Sequence, residues 1–153
     1  MKMGLCGILL AGLLGMQALP GVSQVSAAPT PQCTLVVHVT GFRNQKGVAG
    51  GTVFNSPDGW PENNKKAYHH EHVAIVDKKA TLTFTLPPGR YGVAVLHDEN
   101  ENQKMDRNWL GIPKEGFGFA NNPHVALKAP PFDKATVMVA CPVTETTIQL
   151  IYK

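Results

Sequence analysis

The residues with the clearest chemical potential form an oxygen-rich run that directly follows a predicted strand. If Asp98 is position 1, oxygen-bearing side chains recur at positions 3, 5 and 9, and position 7 can offer its backbone carbonyl: the set is Asp98, Asn100, Asn102, Lys104 and Asp106. This is the spacing of a calcium-binding loop, in which a tight turn directs alternate residues to one centre and a hard cation collects about six to eight oxygens. We therefore predict a structural, calcium-like cation here.

Two positions of this loop depart from the calcium-loop pattern. Position 6, usually glycine, is Gln103, and position 12, usually a bidentate glutamate, is Trp109. Glu115 lies further along the chain and is a candidate to complete the shell. The alternative is a solvated turn in which Asp and Asn side chains accept hydrogen bonds from their own backbone. The sequence leaves both interpretations open.

A second candidate for metal binding is the run from His69 to His72, which reads His-His-Glu-His. Alternate residues of a strand share one face, so His70 and His72 would lie side by side. With a third ligand from elsewhere in the chain they could hold zinc or copper; the candidates are His38, His97 and His124. Neighbouring histidines on a solvated strand are more often plain polar surface, which is the interpretation we favour.

Residues 98–131 form a long segment with few strand signals that contains Trp109, Phe117 and Phe119. Only a short strand near 124–127 is predicted within it. A long ordered loop in a compact domain is commonly functional, so the three rings are candidates for a platform that binds a small ligand or a protein partner. The alternative, which we favour, is that the rings close one end of the core.

The chain shows no pattern typical of an enzyme. It has no Gly-x-Ser-x-Gly elbow, no His-Glu-x-x-His pair and no phosphate-binding glycine loop. His97 and Asp98 are adjacent, but neighbours on a strand point to opposite faces and cannot readily share a proton. We predict a non-enzymatic protein, and a hydrolase is the least favoured alternative.

The elements that must position these residues are strands. Apolar and polar residues alternate over 33–39, 81–86, 91–95, 135–141 and 147–152, and more weakly over 51–55 and 68–76. No window carries a helical stripe of apolar residues. About seven short strands separated by turn signals predict an all-β fold, an antiparallel sandwich of two sheets with one long ordered loop.

The chain has three cysteines, and only Cys33 and Cys141 fall in this predicted domain. Both lie in the core-facing phase of their predicted strands. We predict a disulfide between them, because an even number of cysteines indicates pairing where the domain is exported to an oxidising compartment, as the first residues of the chain suggest below. The chain-entropy model assigns about 4–5 kcal/mol to a bridge that closes so long a loop.

The first 27 residues resemble an export signal. Lys2 precedes an uncharged apolar run over 5–19, and small residues stand at 25–27. That run is shorter than the roughly 20 residues of a membrane span, so we predict a signal peptide over 1–27 and a single mature domain over 28–153, in the periplasm or outside the cell. No later stretch is apolar enough to cross a bilayer, and a net charge of +3 excludes a strongly basic nucleic-acid binder.

Several segments together resemble a known family. They are the run over 86–95, the run over 97–100, the glycine-rich run over 111–119 with Asn121 and Asn122, and the run over 130–132. The chain, over about 34–152, resembles the secreted bacterial family called domain of unknown function 2141. The resemblance implies a transthyretin-like or immunoglobulin-like sandwich and export, and no established activity. The family usually shows Asn-Gly-Asn-Gly in the acidic loop, and Glu101 and Gln103 stand at those glycine positions. This departure weakens the case for an ion in this member relative to its relatives.

Overall fold

The fold is described by a computed structural model that covers residues 29–126 and 128–153. The predicted signal peptide over 1–27 lies outside the described residues. The described chain forms eight strands and two short 3₁₀ helices, at Asn64–Lys66 and Phe132–Ala135; the strands are β1 Cys33–Thr40, β2 Val48–Phe54, β3 His69–Ala74, β4 Ala80–Leu86, β5 Gly89–Asp98, β6 Gly116–Phe119, β7 Thr136–Val139 and β8 Val143–Gln149. The all-β prediction is confirmed. No helix of the described part is long and apolar enough to cross a membrane.

The strands form two sheets. One has three strands in the order β4-β1-β8, and the other has the order β3-β2-β5-β6, with β7 also paired to β5. All pairs are antiparallel except β1 with β8, which is parallel. The chain passes from the five-stranded sheet at β7 to the three-stranded sheet at β8, so no hairpin sets the direction of β8 against β1.

The core lies between the two sheets. Alternate residues of β1 are buried, namely Cys33, Leu35, Val37 and Val39, and residues of β2 and β5 such as Val53 and Val93 belong to the same apolar cluster. The sheets approach closely at Gly51, where an added Cβ atom would lie 2.6 Å from a methyl carbon of Leu82. A side chain at that position would therefore force the sheets apart.

The predicted strands match β1, β2, β3, β4, β5, β7 and β8 with shifts of a few residues at their ends. The short strand predicted near 124–127 is wrong, because the described residues of that stretch adopt no strand. The long segment contributes β6 instead, whose four residues Gly-Phe-Gly-Phe are all buried. The sequence did not reveal this strand because two of its four residues are glycine, so no apolar–polar alternation marks it. Gly116 and Gly118 lie against Tyr152 and Ile148, where a side chain would clash.

Cys33 and Cys141 form a disulfide bond, as predicted. Cys33 is buried in β1, but the placement of Cys141 on a core-facing strand is wrong. Strand β7 ends at Val139, and Cys141 is exposed in the turn that leads to β8. The bond therefore links the start of β1 to this turn, across a sequence separation of 108 residues.

Candidate functional site

The outer face of the five-stranded sheet, which points away from the core, carries two rows of aligned residues. Thr52, Ala94 and Phe119 are register partners across β2, β5 and β6. Gly50, Leu96 and Phe117 form the neighbouring row. On this face, β2 contributes Gly50 and Thr52, β5 contributes Ala94 and Leu96, and β6 contributes two phenylalanine rings. The sheet thus provides an apolar surface that the core does not use.

A cavity of about 790 Å³ lies over this face, which forms its floor. Its walls come from the long segment after β5, through residues that include Met105, Ile112, Pro113, Val125 and Ala126. Volumes of roughly 300–1,000 Å³, mostly apolar walls and a few polar groups are typical of small-molecule sites. The cavity has the size and character of such a site.

The charged side chains that line the cavity are mostly basic. Four are cationic and one is acidic: Lys104, Arg107, Lys128, Lys153 and Glu62. The guanidinium of Arg107 pairs with Glu62, and the ammonium of Lys153 donates a hydrogen bond of 2.7 Å to the carbonyl oxygen of Val125. Lys104 and Lys128 are exposed and form no ion pair within the described residues. The lining therefore offers positive charge next to an apolar floor.

The three aromatic residues predicted as a platform separate into two groups. Phe117 and Phe119 are 8% and 6% exposed, lie with ring centroids 5.9 Å apart, and belong to β6. They belong to a second apolar cluster that is distinct from the core between the sheets, so they do not close one end of that core. Trp109, in contrast, is 91% exposed and lies away from this cluster.

Trp60 supports the second apolar cluster, and sequence reasoning assigned it no role. Its ring lies 5.6 Å from that of Phe119 and 5.6 Å from that of Phe132, measured between centroids. Its indole N–H donates a hydrogen bond of 2.9 Å to the carbonyl oxygen of Pro130. Trp60 thereby holds the segment that precedes β7 against the outer face of the sheet. Only the Pro-Asp-Gly-Trp-Pro turn signal marked this residue in the sequence.

Two buried carboxylates organise the backbone of the acidic loop. The Asp98 oxygens accept hydrogen bonds from the backbone N–H groups of Asn102 and Gln103, at 3.1 and 2.7 Å. The Glu115 oxygens accept from the backbone N–H groups of Glu99 and Asp106, both at 3.0 Å. These bonds satisfy the two carboxylates inside the protein and fold the loop onto the start of β6. This is the arrangement of the alternative interpretation, in which the acidic side chains cap their own backbone.

The other predicted ligands converge on Asp106. The amide nitrogens of Asn100 and Asn102 donate to the two Asp106 oxygens, at 2.7 and 3.0 Å, and the backbone N–H of Lys104 donates to the Asn102 side-chain oxygen at 2.9 Å. The structure thus brings together three of the predicted ligand side chains. Within residues 29–126 and 128–153, no group of three or more His, Cys, Asp or Glu side chains is arranged to hold a metal ion.

Glu101 and Gln103 adopt φ angles of 58° and 61°, in the left-handed region. Residues with a Cβ atom pay a conformational cost of about 1 kcal/mol or more there, and glycine does not. These are the two positions at which the resemblance described above implies glycine. Glycine at either position would therefore suit the backbone of this loop, whether or not an ion is bound.

A buried polar cluster fixes the base of the acidic loop. His97 is fully buried, with Nδ1 2.7 Å from the hydroxyl of Tyr152 and Nε2 2.8 Å from the carbonyl oxygen of Lys46. Beside it, Arg43 lies over the Tyr152 ring and donates a hydrogen bond of 2.5 Å to Glu99. That bond lowers the pKa of Glu99 below its usual value, and burial raises the pKa of Tyr152. His97 thus serves as a structural link at the base of the loop.

The histidine run lies on the edge strand β3. His70 and His72 are both exposed on one face, as predicted, with ring centroids 6.0 Å apart, and His69 contacts Glu71 at 2.9 Å. Two of the proposed third ligands are engaged elsewhere. His97 is enclosed at the base of the acidic loop, and His38 lies on the other sheet, 3.3 Å from Glu145. His124 is exposed.

Comparison with known proteins identifies a family. No curated protein and no solved structure matches the chain. One family model matches residues 37–147, well over half of the chain, and its description is "uncharacterized protein conserved in bacteria". The matched range runs from β1 into β8 and includes the acidic loop, the histidine run and most of the cavity lining. The chain therefore belongs to the bacterial family known as domain of unknown function 2141.

Proposed function

We propose that this protein is an exported, non-enzymatic β-sandwich that binds a small amphiphilic ligand with an anionic group. The ligand would occupy the cavity on the outer face of the five-stranded sheet. The observation that carries this proposal is the cavity of about 790 Å³, whose floor is apolar and whose charged lining has four cationic side chains against one carboxylate.

The apolar floor of the cavity is the reason for proposing that the ligand has an apolar part. Leu96, Phe117 and Phe119 present side chains to the cavity, and no residue of the core needs to move to accept a ligand there. Each Å² of apolar surface removed from water contributes about 25 cal/mol. A ligand with a hydrocarbon or aromatic body would gain most of its affinity from this surface.

The cationic side chains of the cavity are the reason for proposing that the ligand has an anionic group. Lys104 and Lys128 have no carboxylate partner within the described residues, whereas Arg107 is paired with Glu62. A carboxylate, sulfate or phosphate on the ligand would therefore meet free ammonium groups beside a low-dielectric wall, where charged hydrogen bonds are strong. An uncharged analogue of the same size would lose this interaction.

The walls are held in place by hydrogen bonds within the protein itself. The bonds of Asp98 and Glu115 fix the acidic loop, and the Trp60 indole fixes the segment before β7. Binding to a preformed site avoids the entropy cost of ordering loops. The disulfide between Cys33 and Cys141 supports export, because such bonds persist in oxidising compartments.

A calcium-like cation at the acidic loop belongs to this proposal as a structural element. Its support is the convergence of Asn100 and Asn102 on the Asp106 carboxylate. Rotation of the two amide groups would direct their oxygens to the same place as the carboxylate, as a hard cation requires. It would also break the hydrogen bonds that these oxygens accept from the backbone N–H groups of Asn102 and Lys104, a cost that the ion has to exceed. The ion would stiffen the wall of the cavity that Gln103 and Lys104 help to form.

Binding can be tested with 1-anilinonaphthalene-8-sulfonate, a fluorescent dye with an aromatic body and a sulfonate. We expect saturable binding to the native protein, displacement by fatty acids, and weaker displacement by the matching fatty alcohols. The variant Ala94→Phe fills the floor and should abolish binding. Its matched control is Thr83→Phe, which adds the same ring to an exposed position of β4 and should bind like wild type. Equal binding by both variants, or no binding by the native protein, would overturn the proposal.

The charge contribution needs its own variant. Replacing both Lys104 and Lys128 with Gln removes the two free ammonium groups and leaves the floor unchanged. We expect affinity for fatty acids to fall about tenfold or more, since each charged hydrogen bond is worth roughly 1.5–3 kcal/mol. Affinity for the alcohols should stay the same. A uniform loss for acids and alcohols would contradict the anionic-ligand assignment.

A second candidate function is the binding of a transition metal by the histidine run. The observation that favours it is the pair of exposed imidazoles, His70 and His72, on one face of β3 with ring centroids 6.0 Å apart. Copper accepts imidazole ligands, so calorimetry with copper on wild type and on His70→Gln would test it. Heat of binding that disappears in the variant would support this function, and no heat with wild type would exclude it.

A further inference from the structure

Strand β4 is an open edge of the three-stranded sheet. It pairs with β1 on one side, and no backbone group of another described segment bonds to its other side. The edge of a sheet presents N–H and C=O groups that can bond to a further strand, so proteins usually protect it with a charge, a proline or a bulge. The seven residues of β4 include no charged residue and no proline, and their register with β1 is continuous, without a bulge.

The other edges of the two sheets are protected. On β8, the side chain of Asn122 takes the place of a neighbouring strand: its amide nitrogen donates to the carbonyl oxygen of Thr147 at 3.0 Å, and its oxygen accepts from the backbone N–H of Gln149 at 2.8 Å. Strand β6 exchanges two backbone hydrogen bonds with Ile151, and the Asn121 side chain donates to a carbonyl oxygen of β7 at 2.8 Å. Strand β3 carries a glutamate and three histidines. Within the part of the chain that the structure describes, β4 is therefore the least protected edge.

The sequence of β4 is nearly symmetrical about Thr83. Threonine stands at 81 and 85, a large apolar residue at 82 and 84, and an apolar residue at 80 and 86. If two copies met antiparallel about a two-fold axis at Thr83, each exposed threonine would face a threonine, and Leu82 would face Phe84 of the second copy. Lys79, just before the strand, would fall opposite Pro87, so no like charges would meet. A two-fold contact requires a surface that complements itself, and cross-strand pairs of these types are favourable.

An exposed apolar residue lies at each end of this edge. Val76, 64% exposed, forms a bridge with Lys79 just before β4 begins. Tyr68, 45% exposed, has its ring 5.6 Å from that of Tyr91, whose hydroxyl donates to the carbonyl oxygen of Pro87 just after β4 ends. Because antiparallel pairing places the start of one strand beside the end of the other, Val76 of each copy would come to the same end as Tyr68 of the second copy. These residues would add apolar contact at both ends of the strand pair.

We propose that this protein forms a two-fold dimer by antiparallel pairing of β4 with β4 of a second copy, which joins two three-stranded sheets into one of six strands. The symmetry of the edge about Thr83 favours a second copy over a strand of another protein, which would not require it. The cavity lies on the outer face of the other sheet, so pairing leaves it open and does not depend on what it binds. One strand pair buries less than the roughly 1,200–2,000 Å² of a stable interface, so we expect a weak dimer, with a dissociation constant on the order of 10 µM.

Sedimentation velocity over a range of protein concentrations tests this proposal. We expect the wild-type protein to change from monomer to dimer as its concentration rises through the dissociation constant. Thr83→Lys and Thr83→Glu each set two like charges face to face at the two-fold axis, so each should weaken association about tenfold or more. The matched control is Thr147→Lys, which adds the same charge to an exposed position of β8, at the opposite edge of the same sheet, and should associate like wild type.

Mixing the two charge variants gives a second readout that does not depend on loss of association alone. In an equal mixture of Thr83→Lys and Thr83→Glu, a lysine would face a glutamate at the axis, so we expect dimers to return, each with one chain of either kind. Their return would also show that both variants fold. A wild-type protein that stays monomeric at all concentrations would overturn the proposal. Undiminished association of Thr83→Lys, or no dimer in the mixture, would overturn it as well, because position 83 would then not face its own copy.

Discussion

The hydroxyl of Tyr152 and Nδ1 of His97 lie 2.7 Å apart and join the end of the chain to the end of β5. The contacts on both sides of the imidazole assign its tautomer. In the neutral imidazole, Nε2 carries the proton because it faces the carbonyl oxygen of Lys46, and Nδ1 accepts the hydrogen bond from the tyrosine. The backbone N–H of Arg43 donates to the same hydroxyl at 3.1 Å. One phenol group thus bonds both the buried imidazole of His97 and the backbone N–H of the exposed Arg43 at the base of the acidic loop.

Replacing Tyr152 with Phe should test this link. The variant keeps the ring under Arg43 but leaves Nδ1 of the buried His97 without a partner. An unsatisfied buried polar group costs about 1–3 kcal/mol, and we expect the free energy of unfolding in urea to fall by that amount. Tyr68→Phe, which removes the hydroxyl of an exposed tyrosine, is the control and should change stability little. Equal stability of the two variants would show that the hydroxyl contributes nothing.

The pair formed by Arg43 and Glu99 predicts a pH dependence. The hydrogen bond from Arg43 lowers the pKa of Glu99 below its ordinary value of 4.5. A carboxyl group whose pKa is lower in the folded state adds stability above its unfolded pKa, and this contribution is lost as the pH falls through the folded value. We expect wild type to be more stable than Arg43→Gln at neutral pH and the difference to shrink below about pH 4.5. Thermal unfolding of both proteins across this range measures it, and a difference that stays constant would contradict the prediction.

The sequence predicts the sandwich well because period-two alternation directly reflects one buried face. In β4, Leu82, Phe84 and Leu86 are buried while the intervening threonines are exposed, and the pattern can be read without a structure. Strand β6 does not show this alternation. Both of its faces are covered, and Gly116 and Gly118 occupy one face because Tyr152 and Ile148 leave no room for a side chain. In the sequence alone, a segment in which every second residue is glycine is read as a flexible loop. Only the neighbouring side chains in the structure explain why these positions are glycine.

The candidate site was only partly predictable for a related reason. The acidic loop could be located from residue types, since its bonds are local in sequence, as between Asp98 and Gln103. The cavity could not, because it depends on the register that aligns Ala94 with Phe119 and on a covering segment far along the chain. Cys141 illustrates the same limit: its pairing with Cys33 follows from counting cysteines, but its place in a turn depends on where β7 ends.

The left-handed residues of the acidic loop predict stabilising substitutions. Glu101→Gly and Gln103→Gly place glycine at φ angles of 58° and 61°, where it removes the steric cost of the Cβ atom. Part of this gain is lost because glycine makes the unfolded chain more flexible, so we expect each variant to be about 0.5–1 kcal/mol more stable than wild type in chemical denaturation.

The control for this pair is Thr83→Gly, at an exposed position of the regular strand β4. There glycine has no strain to relieve and should destabilise by roughly 0.5–1 kcal/mol. If all three variants lose stability alike, the φ angles of the loop carry no strain that glycine can relieve.

If the acidic loop binds calcium, calcium should stabilise the protein. If the loop is held only by its own hydrogen bonds, calcium should have no effect. If Asn100 and Asn102 turn their oxygens towards a cation beside Asp106, calcium binds the folded chain and raises its stability by mass action, by about 2.7 kcal/mol at one hundred times the dissociation constant. We expect calcium to raise the melting temperature of wild type and not that of Asp106→Asn, which keeps the shape of the side chain and removes its charge. Magnesium should act more weakly, since it demands octahedral geometry and retains its water. A melting temperature that is indifferent to calcium in wild type would assign the loop entirely to the capping of its own backbone, with Asp98 and Glu115 sufficient to hold it.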